Sequence, residues 1–260
     1  MTEGLRLTDG LTMRWIDNHC HLEADELEST LEQAIAAGVQ AMIDVGTNVD
    51  SSTAAIAKAA TSSRVWATAG VHPHEASNGS TGIWELLGSE RVVAVGETGL
   101  DYHYNYSPAG VQQEVFGEHI QMAHHQQMPL MIHTRQAWDD TFALLDEAGM
   151  VERTVFHCFT GGPDEARAAL DRGAFLSFSG IVSFPSADEV RDAAKLCPLD
   201  RLLVETDSPY LTPVPLRGKP NSPANVPLVG QALAQVYDIA IEEIAHHTWQ
   251  NAVTFYQLSM

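Results

Sequence analysis

The sequence predicts an α/β protein folded as a (β/α)8 barrel, with its chemistry at the C-terminal ends of the strands. Three observations predict this. Eight short β-rich apolar runs alternate with longer helical patterns along the chain, which implies parallel strands joined by helical crossovers. Eight such units in 260 residues suit the length of a closed barrel. Six of the runs end in a histidine or a carboxylate, and barrel enzymes carry their reactive groups at that end.

The elements follow in order. The first strand begins at 15–16 and continues into "DNHCHLE", where Asp17, His19 and His21 fall two apart. Alternate strand residues share a face, so this spacing aims all three one way. "ELESTLEQAIAAG" (26–38) has helical periodicity and closes at Gly38. Strands are predicted at "AMIDV" (41–45) and "VWATAG" (65–70), the latter leading into "GVHPHEA" with His72 and His74. "RVVAVGE" (91–97) ends in Glu97, and "SPAGVQQEVFGEHIQMAHHQQ" (107–127) is a long helix closed by Pro129. "PLMIH" (129–133) ends in His133 and "TVFH" (154–157) in His157. "AFLSFS" (174–179) precedes "RLLVETD" (201–207), which ends in Asp207. The segment 208–227 holds six prolines and falls where substrate loops of a barrel lie. Residues 1–13 are read as a polar extension and 14–260 as the barrel.

Composition narrows the function. Apolar residues make up 45% and charged residues 18% of the chain, with ample material for a core. No run of eighteen apolar residues suggests a membrane span, and the N-terminus lacks the apolar stretch of a signal peptide. Cys20, Cys158 and Cys197 form neither a CxxC pair nor an even set, which suits reduced thiols and a cytoplasmic location. Lys and Arg number 14 against 34 Asp and Glu, for a formal charge of -20. Such a surface disfavours an extended basic face for nucleic acid. It leaves room for a phosphate-bearing substrate, because bound divalent cations reverse the sign locally.

Four of the strand-end histidines, with Glu97 and Asp207, supply nitrogen and oxygen donors without sulfur. Such a set suits Zn, Mn, Fe, Co or Ni, and Mg where water completes the shell. Six donors exceed one tetrahedral ion and suffice for two divalent cations sharing a carboxylate. A metal pair lowers the pKa of a bridging water and clamps attacking and leaving oxygens, which points to hydrolysis.

"DNHCHL", "GVHPHE", "GETGLDY", "PLMIHTR", "FHCFTGG", "SFSGIVSF", "RLLVETDSPYL" and "RGKPNSPANV", in this order, resemble the successive signatures of the TatD-type metal-dependent hydrolases, barrel relatives of the amidohydrolases. The resemblance runs from about residue 15 to the final "NAVTFY" helix. It implies that His19, His21 and Asp207 hold one metal, that His133 and His157 hold a second, and that Glu97 bridges them. Asp207 would also take the proton of the attacking water. His72 and His74 would orient a scissile phosphate or protonate a leaving oxygen, and Asp17 would orient a histidine or a nearby loop. The bridge of many amidohydrolases, a carboxylated lysine, has no counterpart, because Lys58, Lys195 and Lys219 are the only lysines and none lies on the fourth strand.

The implied activity is magnesium-dependent cleavage of DNA phosphodiesters, 3′-5′ exonucleolytic, on single-stranded ends. Arg135, Arg217 and Lys219 are candidate phosphate contacts, and Tyr102, Tyr104 and Tyr106 candidate stacking partners for bases. The alternatives are an ester or amide hydrolase on the same metals, such as a D-aminoacyl-tRNA deacylase, and a non-catalytic metal-binding scaffold.

Overall fold

The computed structural model describes residues 13–260; the extension read over 1–13 lies almost wholly outside them. Eight parallel strands pair in sequence order, β1 to β8. They are β1 (Trp15–Cys20), β2 (Val39–Asp44), β3 (Val65–Ala69), β4 (Val92–Asp101), β5 (Leu130–Arg135), β6 (Thr154–Phe156), β7 (Phe175–Phe178) and β8 (Leu202–Val204). The first and last strands approach through a parallel bridge between Cys20 and Ser208. Beside it Asp207 N–H donates to His19 O and His21 N–H to Ser208 O, each at 2.9 Å. The result is the predicted (β/α)8 barrel.

Helices follow the strands: α1 (Leu27–Ala36), α2 (Val49–Thr61), α3 (Ile83–Leu86), α4 (Ala109–Gln126), α5 (Trp138–Ala148), α6 (Pro163–Asp171), α7 (Asp188–Leu196), α8 (Val226–Tyr237) and α9 (Ile241–Tyr256). The apolar faces of most helices pack on the outside of the strands in one continuous core. A close approach sets one detail of it: a Cβ at Gly230 of α8 would fall 2.2 Å from the Trp15 ring, so only glycine lets this helix seat on β1. A second core lies inside the barrel, where Ile16, Ile43, Ala94, Met131, Val155 and Leu203 meet Trp249, Phe255 and Tyr256 of α9. This helix plugs the N-terminal end, so the inward residues further along each strand open only toward the C-terminal mouth. Among the described residues no helix is long and apolar enough to cross a membrane.

β4 extends four residues past its predicted end at Glu97, reaching Asp101. Gly99 allows it, with φ +136° and so little room that a Cβ would sit 2.0 Å from His133 O. The extra residues stay paired with β5 and carry a second carboxylate to the mouth. β8 is shorter than predicted, and Asp207 lies three residues beyond it with φ 54°. Aspartate tolerates this left-handed region better than most side chains.

Candidate metal centre

Glu97, at the middle of β4, is buried and ringed by imidazoles. Its Oε1 lies 2.8 Å from His157 Nε2, 3.0 Å from His133 Nδ1 and 3.4 Å from His72 Nε2, and its Oε2 lies 3.4 Å from His19 Nε2. On the outer side of His19, Asp207 Oδ1 stands 3.6 Å from His19 Nε2 and 3.7 Å from His21 Nε2. All six side chains expected as ligands therefore meet at one mouth, although they span residues 19 to 207. Donor atoms within 4.8 Å of one another form three groups: His19, His21 and Asp207; His72, Glu97 and His133; and His19, His157 and Glu205.

The surrounding contacts separate groups that face the cluster from groups that orient them. His157 turns Nδ1 to Glu205 Oε1 at 3.3 Å, and that oxygen also accepts the Cys158 N–H at 2.8 Å. His133 turns Nε2 to Asp101 Oδ2 at 3.2 Å, and His74 Nε2 meets the same oxygen at 3.0 Å. A carboxylate behind an imidazole fixes its tautomer and makes its inner nitrogen a better donor. Asp17 does not join the cluster: its carboxylate accepts from Thr206 N–H at 2.8 Å and Thr206 Oγ1 at 2.5 Å. It holds the segment that leads to Asp207.

His72 and His74 part company. His72 sets Nε2 3.4 Å from Glu97 Oε1 and accepts the His74 N–H at Nδ1, 3.1 Å away, where a 3-10 turn over Pro73–Asn78 begins. His74 is carried outward to Asp101. Glu205 and Asp101 were missed as site residues, although strand alternation held the signal: each lies an even number of positions from an expected ligand, on the same face.

The electrostatics follow from burial in a low-dielectric mouth. Burial alone would raise the Glu97 carboxyl, but His157, His72 and His19 outweigh it and hold Glu97 well below the usual carboxylate range. His157 shows the converse, burial lowering it while Glu97 and Glu205 carry it well above the ordinary imidazole value. Burial drives His72 down to about 3, so it is uncharged at neutral pH, with its lone pair at Nδ1 accepting the His74 N–H 3.1 Å away. Burial raises Asp17 to about 8 against the opposing hydrogen bonds from Thr206. His19 buries both ring nitrogens without a hydrogen bond to either. An unsatisfied buried imidazole is costly, and a divalent cation taking the Nε2 lone pair would remove the part of that cost that falls on Nε2. The donor set therefore fits divalent metal.

Comparison with known proteins places this geometry in a family. A family model described as TatD related DNase matches residues 16–257. The chain belongs to the TatD family. An Escherichia coli K12 relative, the uncharacterized metal-dependent hydrolase YcfH, is 40% identical over 253 residues, covering 94% of this chain and 96% of its own. The 3'-5' ssDNA/RNA exonuclease TatD of Salmonella typhimurium is 34% identical over 245 residues, covering 90% and 94%. The crystal structure of YJJV, a TatD homolog from Escherichia coli K12, superposes with TM-score 0.89 at 28% identity, over 95% of this chain and 99% of that one. The chain is thus a metal-dependent hydrolase of this family, built as a (β/α)8 barrel.

The helix behind the His72 side of this TatD site carries a further buried imidazole. His119 of α4 accepts the Val71 N–H at Nε2, 3.0 Å away, and donates from Nδ1 to Val115 O at 2.7 Å. It pins the backbone next to His72 in a form that requires neutral imidazole. Burial lowers its pKa from 6.5 to about 4. The unfolded chain binds this proton below pH 6.5 and the folded chain only below about 4, so the stabilisation is complete above 6.5 and fades as pH falls through that window. His119→Leu is expected to be less stable at pH 7.5 by about 1–3 kcal/mol, the cost of orphaning the Val71 amide. It should also lose about 2 kcal/mol of the decline that the native protein suffers between pH 7.5 and 5. Urea unfolding of both proteins at the two pH values checks this, and parallel declines would refute it.

Proposed function

We propose that this protein is a divalent-metal-dependent deoxyribonuclease that shortens single-stranded DNA from the 3′ end. The observation that carries the reading is the convergence of four imidazoles on Glu97, with His21 and Asp207 beside them at the rim. Support for the nucleic-acid substrate comes from the description of the family model and from the relative described as a single-strand exonuclease. In this reading His19, His21 and Asp207 would hold one cation and His133 and His157 a second, Glu97 serving both, while His72 stands beside Glu97 with its Nδ1 occupied by the His74 N–H. Bound there, divalent ions supply Lewis acidity toward water and phosphate oxygens.

The side chains divide the remaining work. Asp207, held below the usual carboxylate range because His21 and His19 outweigh its burial, is ionised and takes the proton from the attacking water at its exposed edge. Asp101 and Glu205 keep the imidazoles of His133 and His157 in register, which removes rotational freedom before substrate arrives. His74, backed by Asp101 and reaching further outward than His72, orients the scissile phosphate or gives a proton to the departing oxygen. The plugged lower end of the barrel confines water to the mouth.

The test pairs two substrates. Purified protein with Mg or Mn is incubated with a 5′-labelled single-stranded oligonucleotide and, separately, with a charged D-aminoacyl-tRNA. The expected result is a ladder of 3′-shortened products that stops on chelation and resumes when metal is restored. Release of the amino acid from tRNA without cleavage of DNA would overturn the nuclease reading in favour of an esterase on the same centre.

A further inference from the structure

Tyrosines and unpaired cations are distributed unevenly over this molecule. Of its six tyrosines, three bury or tie down their hydroxyls: Tyr102 donates to Asp140, Tyr237 to Cys197 O and Tyr256 to Asn18 O. The other three, Tyr104, Tyr106 and Tyr210, form no side-chain hydrogen bond among the described residues and stand 46%, 68% and 63% exposed. All three lie on loops at the C-terminal mouth. The cations repeat the pattern. Among the described residues, those with neither an ion pair nor a side-chain hydrogen bond are Arg14, at the base of β1, and Arg135, Arg217 and Lys219, all at the mouth. In a chain of charge -20, the described cations that lack both an ion pair and a hydrogen bond are gathered almost entirely at the mouth, Arg217 resting over the Phe184 ring at 3.7 Å.

The two groups sit on opposite sides. Tyr104 and Tyr106 follow β4, their rings near parallel (18°) with centroids 5.4 Å apart. Arg135, at the end of β5, covers the Tyr104 ring at 4.8 Å. Tyr106 lies 4.7 Å from the His74 ring. Four strands away around the eight-stranded barrel, Tyr210 lies 6.4 Å from the His21 ring, in the proline-rich loop with Arg217 and Lys219. Both loops are pinned from below. Asp101 Oδ1 accepts the His103 and Tyr104 amides, each at 2.9 Å. The buried Asn221 side chain donates to Thr206 O and Tyr210 O. Firm backbones therefore present half-exposed aromatic rings to solvent, most openly Tyr106 and Tyr210, at a cost in hydration that folding alone does not recover.

We infer that these residues form a two-sided cradle in which a single-stranded polynucleotide crosses the mouth, one base stacking on the Tyr104–Tyr106 shelf and the other on Tyr210, with the scissile phosphate between them over Glu97. Stacking selects unpaired bases without regard to their identity, since every base has a π-face. Arg135 on one side and Arg217 and Lys219 on the other take the flanking phosphates. A duplex end, with its bases stacked on each other, offers neither face. The inference rests on the nuclease reading and adds to it a requirement for a base on each side of the cleaved linkage.

The experiment uses wild-type protein with Mn and single-stranded oligonucleotides carrying one abasic residue, at either the terminal or the penultimate nucleotide. Each abasic residue is expected to raise KM about tenfold with a smaller change in kcat. The Tyr104→Ala/Tyr106→Ala variant should raise KM for intact DNA by a similar factor and be insensitive to one of the two abasic positions. Tyr210→Ala should be insensitive to the other. Phenylalanine at the same positions should restore wild-type KM, because the hydroxyls have no partners. If the alanine variants cleave intact DNA with wild-type KM, or respond to both abasic sites as the wild type does, the cradle is wrong while the nuclease reading stands. If wild-type protein cleaves no strand at all, both fall together.

Discussion

Asp207→Asn is expected to lower kcat for DNA cleavage by about 10²–10⁴-fold, the usual contribution of a positioned general base. The physical case begins with what the substitution leaves alone. Asparagine is nearly isosteric and accepts the left-handed backbone that Asp207 adopts at φ 54°, so no strain is added. The Asp207 N–H donation to His19 O persists, because it is a main-chain bond. What disappears is the negative charge facing His19 and His21 and the oxygen that accepts a proton at the open edge. The melting temperature should therefore move little, while steady-state cleavage of a labelled single strand under saturating Mn falls. If turnover matches that of the wild type, Asp207 is not the base and a group elsewhere in the mouth takes the proton.

Glu97→Gln should have the larger effect on metal binding. Glu97 is the one carboxylate approached by four imidazoles, at 2.8 to 3.4 Å, and the amide removes the charge that balances two cations. A carboxamide presents one oxygen and one N–H₂ group, so one side of the bridge becomes a donor pointed at the metals. Saturated wild-type protein is expected to hold about two divalent ions per chain, the number its donors accommodate. The variant should hold fewer than one after the same dialysis and should lose DNA cleavage by about 10³-fold or more. Metal analysis by mass spectrometry alongside the activity assay reads both. A variant that keeps two ions would show that the histidines and Asp207 suffice and that Glu97 is not a bridge.

The two substitutions separate two kinds of failure. Asp207→Asn weakens a donor at the rim, so metal content should fall less than activity. Glu97→Gln removes the centre of the cluster, so metal content and activity should fall together.

The local rules of the chain were enough for the scaffold. Alternation of apolar strand runs with helical segments is written in each stretch independently, because burial of a strand or a helix face demands its own periodicity. Eight repeats of that pattern leave few architectures, and the run-terminal positions of His19, Glu97, His133, His157 and Asp207 marked one face of the barrel before any coordinates were needed. The limits lay in distances between elements. "GVHPHE" presents His72 and His74 two residues apart, and nothing local says that a 3-10 turn sends one to Glu97 and the other to Asp101. "VETD" and "GLDY" contain Glu205 and Asp101 in plain view. Whether a carboxylate binds a cation or steadies the imidazole beside it depends on which strand lies next to it in the sheet. The same holds for His119, a helix residue whose partner, the Val71 amide, belongs to a loop 48 positions earlier. Spacing along one segment determines the direction in which a side chain leaves the backbone. Only the closed barrel, by bringing strands distant in sequence within a few ångströms, decides what that side chain meets.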